Sequence, residues 1–555
     1  MFQIVTAEEA VQHIHSKDTI AINAFGGALY PDHTVAALER RFLEKHDIEA
    51  LTFYASGSTG SSGLHKFSDR LCHEGLVEEV IAAYYENVDG LGPLAREEKI
   101  AAYNFPQGIL SQLLQAAAGG RPGILSEVGL GTFVDPRLGG GKLNKSAQKD
   151  LVSLHILDGK EYLFYRTPKL DVCLLRGTTV DPIGNITFEK EALYVDALNM
   201  AMATKANGGT VIVQVERRSG QRAHPKEVII PGILVDLVVL APNQFQTTST
   251  PYSPYYSGDL FLPEEWARPG GLPAQGAPGP NHRHGQEHNW VARRAAMELR
   301  RGALVNLGTG LPSRISIVAA QEGVSGDVVF TVESGVVGGI SAVAPDFGAA
   351  VNAHVIYGMD DQFNLYDGRG LDLCFLGAAQ IDQEGNVNVS KVDGKYIGVG
   401  GFINITSKAR TVIFCTTFTT GDALRTQWRD NKLDILQEGQ IQKFVEKVEQ
   451  VSFSGVASQR RGQIVKIITE RCVFALQGPG LVLTEIAPGT DLKRDILSHM
   501  PFQPAISKDL RESVVFVKAD MTRSARYIEH EKSCGIMVFL ISLQELRKER
   551  VIFYG

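Results

Sequence analysis

A single carboxylate followed at once by glycines is the strongest chemical signal in this sequence. The stretch TVESGVVGG, residues 331–339, places Glu333 at the end of an apolar run and just ahead of three glycines. Such a run predicts a buried strand, and the glycines predict a loop that lets something come close to the backbone. Open α/β sheets bind ligands outside the carboxyl ends of their strands. Glu333 is therefore a candidate catalytic residue, although a glutamate that caps the next helix or faces water gives the same short pattern.

The elements ahead of this stretch are predicted from alternation and turn residues. Thr6 and Glu9 form a capping-box pair that predicts a short first helix. A strand at 17–24, the glycine turn FGGALYP at 25–31 and a helix at 34–45 follow, which is the opening of a βαβ unit. Further strands are predicted at 50–57, 76–83 and 152–157.

Two segments of the N-terminal half are dense in glycine and proline. They are YNFPQGIL at 103–110 and GGRPGILSEVGLGTFVDPR at 119–137. Both are predicted to be loops that line a cleft, and either is also compatible with an ordinary surface connection.

An internal repeat relates the two halves of the chain. CLLRGTTVDPIGNITF at 173–188 matches CFLGAAQIDQEGNVNV at 374–389 without a gap, and TVIV at 210–213 matches TVIF at 411–414 at the same offset. The repeat predicts two copies of one α/β domain. The shared Asp-x-x-Gly-Asn segments are predicted to be hairpin turns in both copies.

The composition between the copies predicts the domain boundaries. Residues 244–288 are rich in Pro, Gly and Ser and lack apolar periodicity, so they are predicted to be a linker or long surface crossover between domains at 1–243 and 289–555. This segment contains His282, His284 and His288, which have no Cys or carboxylate partners at ligand spacing. They are predicted to be solvated, and no metal site is expected.

The second copy repeats the order of the first. A helix from WVARRAAMELRRG at 290–302 is followed by the strand ALVNL, the turn GTGLP at 308–312, and a helix in which Pro312 suits the first position. The strand DVVFTVE then ends on Glu333. No chemistry is predicted beyond about residue 420, where further α/β elements are expected.

A second glycine cluster distinguishes the C-terminal copy. GVGGF at 398–402 has three glycines in four positions, whereas the equivalent place in the first copy, 197–201, is ALNMA. Such a density of glycine leaves backbone N–H groups open to a ligand oxygen. A purely structural need would affect both copies, so the asymmetry indicates a site in the second half.

The overall composition is that of an ordinary globular protein. With 555 residues, roughly two to four domains are expected. A net charge of −7 gives no sign of a nucleic-acid surface, and the six cysteines form neither a CxxC motif nor a disulfide pattern. No stretch resembles a signal peptide or reaches the roughly 18 apolar residues of a membrane span. A cytoplasmic protein is expected.

These motifs together resemble the family I coenzyme A transferases, specifically the single-chain acetate, propionate and short-chain 3-oxoacid type. The resemblance rests on YNFPQGIL, the Asp-x-x-Gly-Asn pair, GTGLP, ESGVVGG and GVGGF, and it covers roughly residues 1–500. It implies two tandem related open α/β domains with the fold shared with sugar-phosphate isomerases, and an active site at their interface.

The resemblance also implies roles for particular residues. Glu333 would form a glutamyl-CoA thioester, and the backbone N–H groups of Gly400, the best candidate, and Gly401 would form an oxyanion hole. Gly308 and Gly310 in GTGLP would contact CoA, and the N-terminal copy would help to shape the acyl pocket. The substrates would be an acyl-CoA and a carboxylate of the acetate, propionate, butyrate or acetoacetate class, with no permanently bound cofactor and no metal. A homodimer or homotetramer is expected.

Two departures and three alternatives accompany this interpretation. The linker is longer than the family pattern, and the last 40 or so residues match none of it. The alternatives are an acyl-CoA hydrolase on the same fold, a metabolite-binding sensor that does not need Glu333, and a nicotinamide dehydrogenase. The sensor is disfavoured because neither end of the chain has a basic recognition helix. The dehydrogenase is disfavoured because FGGALYP is not G-x-G-x-x-G.

Overall fold

The first half of the chain is built on one large, mainly parallel sheet. The structure, a computed structural model, describes residues 2–61, 66–263, 286–430, 432–512, 525–528 and 539–542. The strands of this half are β1 (Gln3–Val5), β2 (Thr19–Ile22), β3 (Leu51–Ala55), β4 (Val77–Ala82), β5 (Ala101–Asn104), β6 (Gly123–Ser126), β7 (Val152–Leu157), β8 (Lys160–Arg166), β9 (Val172–Val180), β10 (Ile186–Thr187), β11 (Thr210–Arg218), β12 (Val228–Ile230) and β13 (Leu237–Leu240). The large sheet has the order β1-β13-β11-β9-β2-β3-β4-β5, with β10 and β12 attached beside β9, while β6, β8 and β7 form a small separate sheet.

The strands of the second half follow the same plan. They are β14 (Leu304–Leu307), β15 (Val329–Val332), β16 (Val336–Val337), β17 (Ile340–Ser341), β18 (Ala350–Val351), β19 (Val355–Ile356), β20 (Leu373–Leu376), β21 (Gln380–Ile381), β22 (Val387–Asn388), β23 (Lys391–Val392), β24 (Lys395–Tyr396), β25 (Thr411–Cys415), β26 (Thr419–Thr420), β27 (Arg425–Arg429), β28 (Lys432–Gln437), β29 (Ile441–Gln442), β30 (Ile464–Ile468), β31 (Cys472–Gln477), β32 (Gly480–Ile486), β33 (Ala505–Glu512), β34 (Ala525–Ile528) and β35 (Phe539–Ser542). The large sheet has the order β19-β16-β15-β14-β20-β25-β30-β31-β32-β33.

Helices connect and cover these sheets. They are α1 (Ala7–Ala10), α2 (Asp32–Lys45), α3 (Leu91–Arg96), α4 (Gln107–Ala118), α5 (Ala197–Ala206), α6 (Pro254–Ser257), α7 (Gln286–Ala296), α8 (Arg314–Gln321), α9 (Met359–Gly368), α10 (Phe402–Lys408) and α11 (Gly455–Arg460). Short 3₁₀ or π turns lie at Val11–His13, Phe67–Leu71, Gly232–Leu234, Ser325–Asp327, Leu492–Ile496 and Leu497–His499.

The two halves share one strand order, which confirms that they are related α/β domains. Five parallel strands run β13-β11-β9-β2-β3 in the first sheet and β30-β25-β20-β14-β15 in the second. The central strand β9 is buried along its whole length, as expected for a parallel strand covered on both faces.

The repeated Asp-x-x-Gly-Asn segments have the same internal hydrogen bonds in both copies. Asp181 Oδ1 accepts from the backbone N–H of Asn185 at 2.9 Å, and Asp382 Oδ1 accepts from that of Asn386 at 3.0 Å. Each asparagine Nδ2 also donates to the second oxygen of its aspartate at 3.0 Å. Both turns join antiparallel strands, β9 to β10 and β21 to β22, which confirms the predicted hairpins.

Most predicted elements of the first half lie where the sequence placed them. Thr6 Oγ1 caps α1 by accepting from the Glu9 N–H at 3.2 Å, and Glu9 Oε2 accepts in return from the Thr6 N–H at 2.9 Å. The helix predicted at 34–45 begins two residues earlier, at Asp32. In the second half, α8 begins at Arg314 rather than at Pro312, because residues 310–313 form turns.

One of the two predicted glycine-rich loops is not a loop. In YNFPQGIL, Tyr103 and Asn104 end β5, and α4 begins already at Gln107, so only Phe105 and Pro106 connect them. The proline precedes the first helical residue, a place where its missing N–H costs the helix nothing. The second segment, 119–137, contains β6 followed by a series of turns.

Part of the predicted linker is packed. Gln246, Thr247 and Thr250 are buried, and the Thr250 hydroxyl donates to Asp346 Oδ2 at 2.7 Å. Residues 264–285, including His282 and His284, lie outside the described residues, and His288 lies in α7. The division into 1–243, 244–288 and 289–555 stays a prediction.

The described cysteines are free, as predicted. Four of the five, at positions 173, 374, 415 and 472, are buried, so they serve as small core residues. Cys534 lies outside the described residues.

Candidate active site

Glu333 lies in the turn of a tight hairpin. It follows β15 directly, and β15 pairs antiparallel with β16 through Thr331 with Val337 and Val332 with Val336. The Gly335 N–H donates to the Val332 carbonyl at 3.2 Å and closes this turn. The predicted strand end is therefore confirmed, and the chain reverses immediately after the carboxylate.

The glycines after Glu333 make room for the chain itself. Gly335 has φ +105°, and a Cβ there would collide with the Tyr357 carbonyl oxygen. Gly338 has φ +77°, and a Cβ there would collide with the His354 ring. The sequence predicted a close approach to this backbone, and the structure shows that the approaching group is segment 351–357.

The Glu333 side chain is a buried carboxylate without a full set of partners. The residue is only 9% exposed, and among the described residues no group hydrogen-bonds to its Oε2. Burial raises the pKa of this carboxyl to about 7, against smaller opposing effects of its own backbone and of the Asn306 amide. Desolvation disfavours the charged form of a carboxylic acid, which explains the direction of the shift.

A small polar network supports Glu333 from beneath. Asn306 in β14 is the register partner of Thr331 in β15, two residues before Glu333. Asn306 Nδ2 donates to the Tyr366 hydroxyl at 3.1 Å, and that hydroxyl donates to Thr331 Oγ1 at 2.8 Å. The Asn306 Oδ1 atom has no partner among the described residues.

The second glycine cluster lies directly beside Glu333. A Cβ built on Gly401 would be 3.3 Å from Glu333 Cγ and 3.2 Å from the Phe363 ring. Gly401 has an ordinary φ of −78°. Close approach to the Glu333 side chain, rather than backbone conformation, is therefore the local demand for glycine.

The backbone N–H groups of this cluster differ in how they are used. The Gly400 N–H donates to the Ala83 carbonyl at 2.8 Å, and the Val399 N–H donates to Asn104 Oδ1 at 3.0 Å. In the part of the chain that the structure describes, the Gly401 N–H has no such acceptor. The sequence favoured Gly400 as the oxyanion donor, but in this conformation its N–H is engaged and that of Gly401 is open.

The N-terminal half contributes to the site through the start of α4. The Gln107 N–H donates to the Gly400 carbonyl at 2.9 Å, and the Gly108 N–H donates to Asn404 Oδ1 at 3.1 Å. Gln107 Nε2 lies 2.9 Å from Met359 Sδ. The segment YNFPQGIL thus meets the GVGGF turn, and the site lies where the two halves join.

The other glycine-rich segment, 119–137, also contacts the second half. Glu127 pairs with Lys408 of α10 at 2.6 Å, and the Phe133 N–H donates to the Val451 carbonyl at 2.9 Å. These contacts join the segment to α10 and to Val451, not to Glu333.

The GTGLP turn follows β14, the strand next to the one that ends at Glu333. Gly308 is buried and its N–H donates to the Phe375 carbonyl at 2.9 Å, whereas Gly310 is exposed with φ +77° and open space around it. The turn is therefore anchored at Gly308 and open at Gly310. Its contact with CoA stays a prediction.

Three residues near Glu333 escape the sequence analysis: Asn306, Tyr366 and Gln362. Asn306 is the one polar residue in the buried strand Leu304–Leu307, and a single polar residue in such a strand could have indicated the site from sequence. Tyr366 and Gln362 lie on α9, 29 or more positions along the chain, and only the fold brings that helix to the site.

Within the described ranges, no group of three or more His, Cys, Asp or Glu side chains could hold a metal ion. The same part of the chain contains no helix with the length and apolar character needed to cross a membrane.

This fold and site define a class of enzyme. The sequence model of the family described as Coenzyme A transferase matches residues 4–241 and 289–422. The chain belongs to the coenzyme A transferase family.

Similar proteins narrow the activity. The acetate CoA-transferase YdiF of Escherichia coli (strain K12) is 41% identical over 93% of this chain and 96% of its own length. The caffeate CoA-transferase of Acetobacterium woodii is 42% identical over 92% of this chain and 96% of its own length. A structure of the acyl-CoA transferase YdiF of E. coli O157:H7, a thioester complex with CoA, has a TM-score of 0.86 at 40% identity over 94% of this chain and 97% of that one. The chain is a CoA-transferase, which moves CoA between an acyl-CoA and a carboxylate.

Proposed function

We propose that this enzyme exchanges CoA between short-chain acyl-CoAs and carboxylates of the acetate, propionate, butyrate or acetoacetate class through a covalent thioester on Glu333. The observation that carries the proposal is the state of Glu333, a carboxylate nine-tenths buried with one oxygen unpaired. Beside it lies Gly401, whose N–H has no acceptor among the described residues. The thioester complex of YdiF with CoA supports a covalent route.

The proposed reaction proceeds in a balanced sequence of acyl transfers. A Glu333 carboxylate oxygen attacks the acyl-CoA carbonyl carbon, and CoA leaves as its thiolate, giving an acyl-glutamyl anhydride. The thiolate then attacks the glutamyl carbonyl carbon, and the acid leaves as a carboxylate with the bridging oxygen. Glu333 is now a thioester of CoA, and a second carboxylate reverses both steps. This divides one difficult exchange into easier ones and needs no cofactor.

Fixing the carboxylate against the substrate addresses its weakness as a nucleophile. An attack within a bound complex can gain about 7–11 kcal/mol over an encounter in solution. The hairpin turn, the Asn306 network and the close contact at Gly401 restrict the Glu333 side chain for this purpose.

The Gly401 N–H is the best placed donor for the oxyanion that each attack creates. Losing one such donor typically costs about 2.7–4 kcal/mol of transition-state stabilisation. Gly400 takes a supporting role in this proposal, because its N–H and carbonyl hold the turn to Ala83 and Gln107 of the N-terminal half. Gly308 and Gly310 are proposed to contact CoA, and a homodimer or homotetramer is proposed for the assembly.

The test is an intact-mass measurement after incubation with acetyl-CoA and no acceptor. Wild-type protein is expected to gain a CoA adduct that peptide mapping places on Glu333, and acetate should remove it. Glu333→Gln, which keeps the shape but cannot form a thioester, should form no adduct and lose at least about 10⁴-fold in transfer rate, since covalent attack is the main route.

Glu44→Gln, on the exposed face of α2, is the control and should behave as wild type. No adduct with any of several short acyl-CoAs, or full transfer by Glu333→Gln, would overturn the proposal. An adduct that decays in water as fast as with acetate would instead indicate an acyl-CoA hydrolase.

A further inference from the structure

Gln362 on α9 carries a buried amide that nothing in the described structure satisfies. The residue is 0% exposed, and neither Nε2 nor Oε1 has a hydrogen-bond partner in the described part of the chain. Buried amides are almost always paired, so an orphaned one indicates a missing partner.

Helix α9, which carries this amide, packs beside the reacting group. A Cβ built on Gly401 would lie 3.2 Å from the ring of Phe363, the residue after Gln362. The same Cβ would lie 3.3 Å from Glu333 Cγ. Tyr366 lies one helical turn after Gln362, on the same face of the helix. Burial raises the pKa of the Tyr366 phenol, and the charge of Glu333 adds to the rise. The Gln362 amide is close enough to lower that pKa, but it does not meet the geometry of a hydrogen bond with the phenol.

No neighbouring group among the described residues forms a hydrogen bond with the Gln362 amide. The Tyr366 hydroxyl donates to Thr331 and accepts from Asn306. Three residues that act on this hydroxyl carry polar atoms with no hydrogen-bond partner among the described residues: Glu333 Oε2, Asn306 Oδ1 and both amide atoms of Gln362. A ligand bound against Glu333 would have to supply the missing partners.

We propose that Gln362 is a substrate-contacting residue whose Nε2–H donates to an oxygen of the carboxylate that leaves or enters beside Glu333. The inference rests on the proposed glutamyl-CoA reaction. A free carboxylate has two oxygens, and the Gly401 N–H serves only one. When CoA thiolate attacks the glutamyl carbonyl, the anhydride C–O bond breaks and the bridging oxygen keeps the electron pair. Gln362 donates to that oxygen as its negative charge grows, and to the same oxygen of the incoming acceptor.

The test compares Gln362→Met with wild type in separate half-reactions. Methionine keeps the length and volume but removes both amide groups. Discharge of preformed glutamyl-CoA by acetate should slow about 10- to 100-fold, because a hydrogen bond to a charged group is lost. The dissociation constant for free CoA should not change. Thermal stability should stay level or rise, because an unpaired buried amide is removed.

Gln362→Asn is the second variant, since it keeps an amide but withdraws it by one methylene. Its glutamyl-CoA should also be discharged by acetate more slowly than that of wild type. Ser458→Ala is the matched control, because Ser458 Oγ on α11 is also buried and unpartnered but lies outside the site. It should leave both half-reactions unchanged.

The outcomes separate this inference from the function on which it rests. Absence of a CoA adduct on wild-type Glu333 would remove the glutamyl-CoA reaction itself. A normal wild-type adduct together with normal discharge in folded Gln362→Met or Gln362→Asn would overturn the role of Gln362 alone. A loss of stability and of discharge in equal measure, with a raised dissociation constant for CoA, would indicate a packing role and also overturn it.

Discussion

At the scale of single residues, the site is distinguished by polar groups that the fold leaves unsatisfied. Burying a carboxylate or amide without a partner costs free energy that a stable core would avoid. Glu333, Asn306 and Gln362 all carry such atoms, and all three lie around the Tyr366 hydroxyl. Unsatisfied groups concentrated in one place are best explained by a ligand that completes them.

The raised pKa of Glu333 predicts the pH dependence of the first half-reaction. Only the ionised carboxylate is a nucleophile, and its pKa in the free enzyme is about 7. The rate of adduct formation at low acetyl-CoA should therefore fall about tenfold for each pH unit below 7 and level off above pH 8, because the ionised fraction sets it. Stopped-flow quench followed by intact mass measures this rate. A rate that is constant between pH 5.5 and 8 would contradict a buried nucleophile with this pKa.

Part of the site can be predicted from the sequence and part cannot. Glu333 is visible because its strand, its glycines and its carboxylate are contiguous. The sequence does not predict which of Gly400 and Gly401 has the available N–H, because this depends on the Ala83 carbonyl, which lies in the other half of the chain. Gln362 and Tyr366 resemble any amphipathic helix residues until α9 is seen against the hairpin.

At the scale of elements, the β15–β16 hairpin holds the nucleophile. Segment 351–357 extends the hairpin sideways, because its strand β19 pairs antiparallel with β16. The backbone N–H of His354 donates to the Val337 carbonyl at 2.8 Å, and that of Tyr357 donates to the Gly335 carbonyl at 3.0 Å. The glycines of ESGVVGG are needed for this close pairing with segment 351–357. The sequence shows that they are required for a close approach, but it does not show which group approaches.

Substitution of Gly335 should therefore disturb the site more than substitution of a glycine that has a positive φ but open space around it. Gly335→Ala combines a positive φ with a collision against the Tyr357 carbonyl, while Gly323→Ala at the end of α8 has a positive φ and open space. The strain of φ alone costs about 1–2 kcal/mol, so Gly323→Ala gives the reference. Gly335→Ala should have a lower melting temperature than Gly323→Ala and lose adduct formation at Glu333. Equal melting temperatures and a wild-type rate of adduct formation would show that the hairpin tolerates displacement.

At the scale of the whole molecule, duplication produced two sheets of one topology with different chemistry at equivalent places. Glu333 follows β15, and the residue that follows the equivalent strand β3 is Ser56. Ser56 donates to Asp196 at 2.6 Å, and Ser111 also donates to this aspartate. The repeat predicts the topology of both halves, since one pattern folds in one way. It does not predict how they join, because those contacts arise from residues that differ between the copies.

The join itself contains two buried acids. Asp196 is only 2% exposed at the start of α5, and Asp360 at the start of α9 is 5% exposed and accepts from Asn199 at 2.7 Å. The Met359 N–H donates to the Val195 carbonyl at 2.9 Å, which holds the two helix starts together. Burial, followed by the charge of Asp360, raises the pKa of Asp196 from 3.8 to about 7.

This raised pKa makes the stability of the joined molecule depend on pH in a definite direction. Between about pH 4 and 7 the folded state keeps the Asp196 proton while the unfolded state has lost it, so folding is favoured most at the low end and that contribution is lost as pH rises through 7. The slope from one such group is at most about 1.4 kcal/mol per pH unit.

Asp196→Asn keeps a hydrogen-bonding side chain and has no proton to lose. Its melting temperature relative to wild type should rise from pH 5 to about pH 7 and level off by pH 8, with acids away from Asp196, such as Glu333, cancelling in the difference. Asp393→Asn, in the exposed turn between β23 and β24, should show a constant difference. Parallel melting curves for Asp196→Asn and wild type across this range would mean that Asp196 is ionised in the folded protein, and that the two halves meet around a charge rather than a neutral acid.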